Sequence, residues 1–147
     1  MIKFYEYSGD LMGLPTSKDH INFRWNNPDC KVLFSTARQG NAISCHLASD
    51  KKGLRMLIIS MHEFAQFLFS TYGWCEMLFA KTNINSIKKL NEKFGFRSIG
   101  TIGECDIYIL PKQVYYSDNN TKKFIKGVAL VALKKKIEGD LLWQNQQ

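Results

Sequence analysis

The stretch that most constrains this chain is residues 83–96, NINSIKKLNEKFGF. Asn85 and Ser86 are residue types that favour a helix N-cap, because their side chains accept from the first free backbone N–H groups. Ile87, Leu90 and Phe94 then recur at helical spacing. Gly95 ends the run where a left-handed backbone carries no Cβ cost. Residues 74–82 (WCEMLFAKT) read as a buried strand before this helix, and Arg97–Ile102 and residues 105–110 as two strands after it. A short helix set between a strand and two more strands must lay its apolar stripe on a sheet, so the chain is of the α/β class.

The remaining elements extend that sheet. Residues 2–7 (IKFYEY) alternate as a first strand. Residues 9–29 contain Gly9, Gly13, Pro15 and Pro28 and read as loop, with one helical turn near 18–23. Residues 30–37 form a strand, Arg38-Gln39-Gly40-Asn41 a turn with Gly and Asn supplying positive φ, and Ala42–Ser49 the returning strand of a hairpin. Asp50-Lys51-Lys52-Gly53 breaks the strand. The longest helix then spans 54–72, with Leu54, Leu57, Ile58, Met61, Phe64, Ala65 and Leu68 on one broad face. Gly73 closes it. The crossover through this helix predicts that Ala42–Ser49 and the 74–82 strand are parallel neighbours.

At 147 residues, with 45% hydrophobic and 13% aromatic content, the chain is long and apolar enough for one core. A core of residues 1–113 and a basic extension over 114–147 are expected. No apolar run approaches the roughly 20 residues that cross a bilayer. The N-terminus lacks a secretory leader's apolar stretch, which predicts a cytoplasmic location. Cys30, Cys45, Cys75 and Cys105 are spread singly, without metal-ligand spacing to the three histidines, and read as buried reduced thiols. Net charge is +7, but six lysines crowd the C-terminal extension (Lys122, Lys123, Lys126, Lys134, Lys135, Lys136). Without them the core is close to neutral, which argues against a specific nucleic-acid binder. Residues 121–142 read as a segment that packs on the core or contacts a protein partner, and residues 128–133 fit helix or strand equally.

Two places can carry chemistry. Asp50–Arg55 (DKKGLR) precedes a helix N-terminus, where free N–H groups and a partial positive charge suit an anion. Lys51, Lys52 and Arg55 add charge, and Gly53 permits close approach. The other is the strand pair itself. His46 is a candidate general base for an amine, on the opposite face from Cys45 and Leu47, and Glu76 is a candidate carboxylate on the 74–82 strand.

The order strand, short helix, Gly-Phe, strand resembles the C-terminal half of a GNAT N-acetyltransferase. Asn83, Ser86, Gly95 and Phe96 match that family's pattern, with the Ser-to-Gly interval one residue longer. The resemblance covers residues 30–112 in detail. It implies a GNAT-like fold, a mixed and mostly antiparallel sheet flanked by helices, and acetyl-CoA as cofactor with an amine as second substrate. It implies that Cys45, Leu47 and Ser49 hold the pantetheine arm through their backbone. Lys51, Lys52, Gly53, Leu54 and Arg55 would hold the pyrophosphate, and Asn83 and Ser86 would lie by the CoA arm. The sequence departs from the family at Asp50, where Arg or Gln is usual, at Arg55, where a small residue is usual, and at Leu90, where a tyrosine often serves as acid. Small phage-encoded GNAT-like proteins share such departures. The resemblance therefore implies either a transferase or a catalytically degenerate protein of structural or head-assembly role, in the host cytoplasm or in a virion.

Overall fold

The computed structural model describes residues 2–118 and 121–124. It divides between Gln113 and Val114 into two compact units. The first carries a seven-stranded sheet in the order β1-β2-β3-β4-β5-β7-β6. Its strands are β1 (Phe4–Glu6), β2 (Ile21–Trp25), β3 (Val32–Gln39), β4 (Ala42–Ser49), β5 (Met77–Thr82), β6 (Arg97–Ile102) and β7 (Cys105–Pro111). Its helices are α1 (Lys51–Leu54), α2 (Leu57–Thr71) and α3 (Asn85–Phe94); α4 (Lys112–Ser117) crosses into the second unit. All pairings are antiparallel except β4 with β5. This is the mixed, mostly antiparallel α/β sheet that the sequence predicts, with the parallel neighbours where they were expected.

β3 and β4 form a hairpin closed by Gly40 and Asn41, with Gln39 opposite Ala42. Gly40 has φ +64° and Asn41 does not share the positive φ, so glycine alone meets the turn's left-handed requirement. α2 crosses behind the sheet and buries Leu57, Met61, Phe64, Ala65 and Leu68, the i, i+4, i+7, i+8 pattern of an amphipathic helix. Phe34 stacks on Phe64 with ring centres 4.1 Å apart, and Phe4 lies 4.9 Å from Phe64. Glu63 of α2 ties down the sheet's first edge: its carboxylate accepts from Trp25 Nε1 at 2.7 Å and pairs with Lys3 at 2.9 Å.

Three expectations change. Residues 18–23 hold no helical turn; residues from Ile21 belong to β2, because Phe23 and Trp25 alternate into the core while Asn22 and Arg24 face away. The long helix does not start at Leu54, which is 59% exposed. The chain instead makes the single turn α1, breaks at Arg55 and Met56, and restarts at Leu57. β5 starts at Met77, so Trp74, Cys75 and Glu76 belong to the connection before it. Trp74 is used there as a platform for Arg38, whose guanidinium carbon lies 3.7 Å from its ring centre.

α3 ends as its sequence predicts. Gly95 has φ +118°. Its N–H donates to the Glu92 carbonyl at 3.2 Å, and that of Phe96 to Asn91 at 2.9 Å, the two bonds of a Schellman motif. Asn85 and Ser86 lie inside the first turn rather than at the cap, which is Ile84 and makes no side-chain bond. His62 of α2 is buried with its ring 4.4 Å from that of Phe94, so it packs α2 to α3. Among the described residues no helix is long and apolar enough to cross a membrane, and no cluster of His, Cys, Asp and Glu could hold a metal ion. Residues 125–142 of the basic extension, with the segment 128–133, lie outside the described residues.

Candidate active site

β4 and β5 are paired over three positions only, Ala42 with Met77, Ile43 with Leu78 and Ser44 with Phe79. Beyond them β4 continues on β3 to Ser49 and β5 continues on β7 to Thr82, so the two strands part. The β5-facing backbone groups of residues 45–49 are left without a strand partner. A cavity of about 380 Å³ fills the gap on the α2 side, lined by Cys45, His46 and Leu47 of β4, by Ala80, Lys81 and Thr82 of β5, and by Met61, Phe64 and Ala65 of α2. Ile87, Asn91, Phe94 and Phe96 close it from the α3 side, and Leu14 and Pro15 from the loop before β2. A second cavity, about 680 Å³, opens on the other face and shares Cys45, His46, Ala80 and Lys81 with the first. The gap is thus reached from both faces of the sheet.

His46 sits at this junction. Burial, and then the neighbouring His20 and Lys81, push its pKa below the ordinary histidine value. Its ring centre is 6.2 Å from that of His20, which in turn is bonded through Nδ1 to Ser17 Oγ at 2.6 Å. A histidine kept neutral can accept a proton, which an imidazolium cannot. Cys45 is not a competing nucleophile. Burial, with Cys75 adding to it, drives its thiol pKa far up, and its Sγ–H points to the Ile43 carbonyl at 3.8 Å. All four cysteines are free; Cys30 and Cys75 are buried, whereas Cys45 and Cys105 are half-buried at the cavity wall.

The structure brings Cys45, His46, Leu47 and Asn83 to the cavity. Ser49 ends β4, and Ser86 lies exposed in the first turn of α3. Glu76 does not reach the gap: it is exposed just before β5, at the closed end of the β4–β5 pairing, where its carbonyl accepts from the Lys112 N–H at 2.9 Å. The loop over residues 50–55 also differs from expectation. Asp50 Oδ1 accepts from the Gly53 N–H at 2.7 Å and Oδ2 from the Lys31 N–H at 3.1 Å. The Gly53 bond chiefly, with the Lys31 bond and the nearby cations, holds the Asp50 carboxyl below the usual range against the opposing effect of burial. The Gly53 N–H that the sequence reading offers to a phosphate is therefore already taken by the chain's own carboxylate. Lys51, Lys52 and Arg55 line grooves beside Asn27, Asp29 and Cys30 and do not line the cavity, and Leu54 is exposed.

Two lining residues escape the sequence reading. Lys81 lines both cavities. Asn91 is 5% exposed, and among the described residues its side-chain Nδ2 has no hydrogen-bond partner. The signal for Asn91 is its spacing: with Ile87 and Phe94 it falls on the buried stripe of α3, where an amide is out of place unless something accepts from it. A buried donor left unmet costs about 1–3 kcal/mol, which a ligand with a carbonyl or sulfur acceptor would recover.

No protein-family model matches the sequence, and no curated protein matches it. Solved structures do. The apo form of FdhC, a nucleotide-linked sugar GNAT, superposes with a TM-score of 0.58 at 13% identity, over 72% of this chain and 65% of its own. Mutant forms of the spermidine/spermine N-acetyltransferase SpeG from Vibrio cholerae give 0.55 at 11% identity, over 69% of this chain and 73% of that one. The Campylobacter jejuni N-acetyltransferase PseH in complex with acetyl coenzyme A gives 0.54 at 11% identity, over 65% and 70%. The chain spans about two-thirds of the length of FdhC. At these identities the likeness is one of fold: the chain has the fold of the GNAT N-acetyltransferases.

Proposed function

We propose that the protein is an N-acetyltransferase that moves an acetyl group from acetyl-CoA to an amine. The observation that carries the reading is the parting of β4 and β5 after three paired residues, which leaves strand backbone bare beside a gap open from both faces. The bare groups of Cys45, Leu47 and Ser49 hold the pantetheine arm as a third strand would. Asn83 borders that arm, and the Asn91 amide donates to one of its acceptor atoms. The diphosphate lies not against Asp50 but at the start of α2, which has no side-chain cap. Bound there, acetyl-CoA supplies an acyl group on a thiolate leaving group.

The chain's residues then align and deprotonate. The amine enters from the far face, and His46 takes a proton from it as nitrogen attacks the carbonyl carbon and the C–S electron pair leaves on sulfur. Among the described residues no tyrosine lines the cavity to protonate that sulfur, so orientation in the gap supplies much of the rate. Because His46 is shifted down, its basic form persists below pH 6.5 and is lost only as pH falls through the lowered value. Activity should therefore hold to slightly acidic pH before falling, and His46→Gln should remove that acid limb with a loss of about 100-fold in kcat.

Isothermal titration with acetyl-CoA tests the reading, with micromolar-range affinity expected. Silence at millimolar acetyl-CoA favours a second reading, for which the Asp50 carboxylate in the phosphate slot speaks: a GNAT-fold protein without catalysis, in a structural or head-assembly role as in phage particles, using residues 121–142 as its protein contact. The transferase reading places the protein in the cytoplasm, and the second in a virion or its host cell.

A further inference from the structure

We infer that Ser35 and Asn22 are positioning residues for His46: the three side chains form a hydrogen-bonded row across β2, β3 and β4 that fixes which imidazole nitrogen stays bare. This rests on the transferase reading, in which His46 is the base. The strand register sets out the row. Asn22 stands opposite Ser35, and Ser35 opposite His46, so the three share one face of the sheet. Phe34, next to Ser35, stacks on Phe64 of α2, so by alternation this is the far face, on which His46 meets His20. Directly opposed side chains have Cβ atoms roughly 5 Å apart, within the combined reach of a hydroxyl and an imidazole or an amide.

Two of the three side chains carry a buried polar atom with nothing to bond. Among the described residues, the buried side-chain atoms without a partner are Asn22 Oδ1, Ser35 Oγ and Asn91 Nδ2. Asn91 lies across the cavity in α3, whereas Asn22 and Ser35 are neighbours. Ser35 is 0% exposed, and alanine would fill its place without a polar atom to satisfy. Other buried hydroxyls are met: Thr36 Oγ1 donates to the Ile21 carbonyl at 3.1 Å, and Ser60 Oγ to that of Leu57 at 2.9 Å. The atoms allow one direction only. Asn22 Oδ1 can only accept, so the Ser35 hydroxyl donates to it, and the Ser35 oxygen is left to accept from an imidazole N–H. The other ring nitrogen then carries no proton, as a base requires. Small side-chain rotations make both bonds, and each satisfies an orphaned atom. The competing neighbour, His20, is already bonded to Ser17 Oγ through Nδ1 at 2.6 Å, with its ring centre 6.2 Å from that of His46.

Nitrogen-15 NMR of the full chain tests this, with no ligand added, at roughly pH 8, where the neutral ring dominates. His46→Gln assigns the ring signals. Wild type should show two well-separated nitrogens for His46, one protonated and one bare, as a single tautomer gives. Ser35→Ala should draw the two shifts together as tautomers mix. Ser35→Thr keeps a hydroxyl on a residue that suits a strand, and should restore the separation. Asn22→Ala should act in the same direction as Ser35→Ala, and serves if the buried serine cannot be replaced without unfolding. Urea melts read the same bonds independently: an idle hydroxyl makes Ser35→Ala neutral or stabilising, whereas a bonded one lowers the midpoint. The inference is overturned if the wild-type shifts are already averaged, or if neither Ser35→Ala nor Asn22→Ala moves them. It is equally overturned if His20→Gln collapses them instead, or if Ser35→Ala melts at or above the wild-type midpoint. The transferase reading fails separately: a single tautomer that Ser35→Ala disrupts, in a protein silent to acetyl-CoA, sustains the row and sinks only that reading.

Discussion

Replacing Phe96 by alanine should lower the unfolding free energy by about 3 kcal/mol, the lower end of the range for a buried phenylalanine. The ring is 7% exposed and lies 5.8 Å from that of Phe94, on the strand-side exit of α3. It also forms part of the cavity wall, so truncation widens an existing space instead of opening a new one. That is why the lower end of the range applies. The Gly95 turn fixes where the ring points: with its N–H bonded to Asn91, residue 96 has little freedom to swing out and relieve the loss. For a domain of this size the melting temperature should fall by about 10 °C. A Phe96→Ala protein that melts like wild type in urea would place the ring at the surface and void the packing of α3 described above.

Gly53→Val should cost a similar amount, about 3 kcal/mol, by overpacking and not by cavity formation. An ideal Cβ at residue 53 would lie 2.8 Å from Val32 Cγ2, 3.0 Å from the Lys31 carbonyl oxygen and 3.1 Å from Asp50 Oδ1. Val32 is fully buried and the carbonyl belongs to the backbone, so neither can step aside cheaply. The turn must lift from β3, and the Asp50 cap that accepts from the Gly53 N–H opens with it. Gly53→Ala already presents the Cβ and should lose a substantial part of the same energy. Denaturant melts of both variants measure it; a valine protein within 0.5 kcal/mol of wild type would refute the contact. The sequence suggests that glycine is there to admit a phosphate, whereas the structure makes it a residue that lets α1 touch β3.

The fold was legible where local chemistry and tertiary demand agree. α3 and its glycine stop, the β3–β4 hairpin and the parallel step from β4 to β5 follow from the Gly95 C-cap, turn residues and periodicity that nothing in the packing overrides. β2 was obscured because its five residues sit among loop-forming neighbours, and so short a run has too few apolar positions to set a strand apart from a turn. The break at Arg55 and Met56 has no sequence punctuation: the apolar stripe passes through Leu54 to Leu57, and only the Asp50 cap, fixed by its bond to Lys31 just before β3, sets α1 apart. The site was legible by position but not by direction. His46, Leu47 and Asn83 line the gap because strand order puts them there. Lys51 and Lys52 turn towards residues 27–30, and Glu76 falls outside the strand by one residue. Those outcomes depend on which neighbour a side chain meets, and no spacing encodes that.

The three-residue seam between β4 and β5 also has a mechanical meaning. The sheet is two stiff plates, β1 to β4 and β5 with β7 and β6, joined along one short edge. Plates joined this way can flex about the seam, opening and closing the gap as a book does about its spine. Whatever lies between them acts as a strut that couples the plates, so filling the gap should slow amide exchange in strands such as β1 and β2 that line neither cavity.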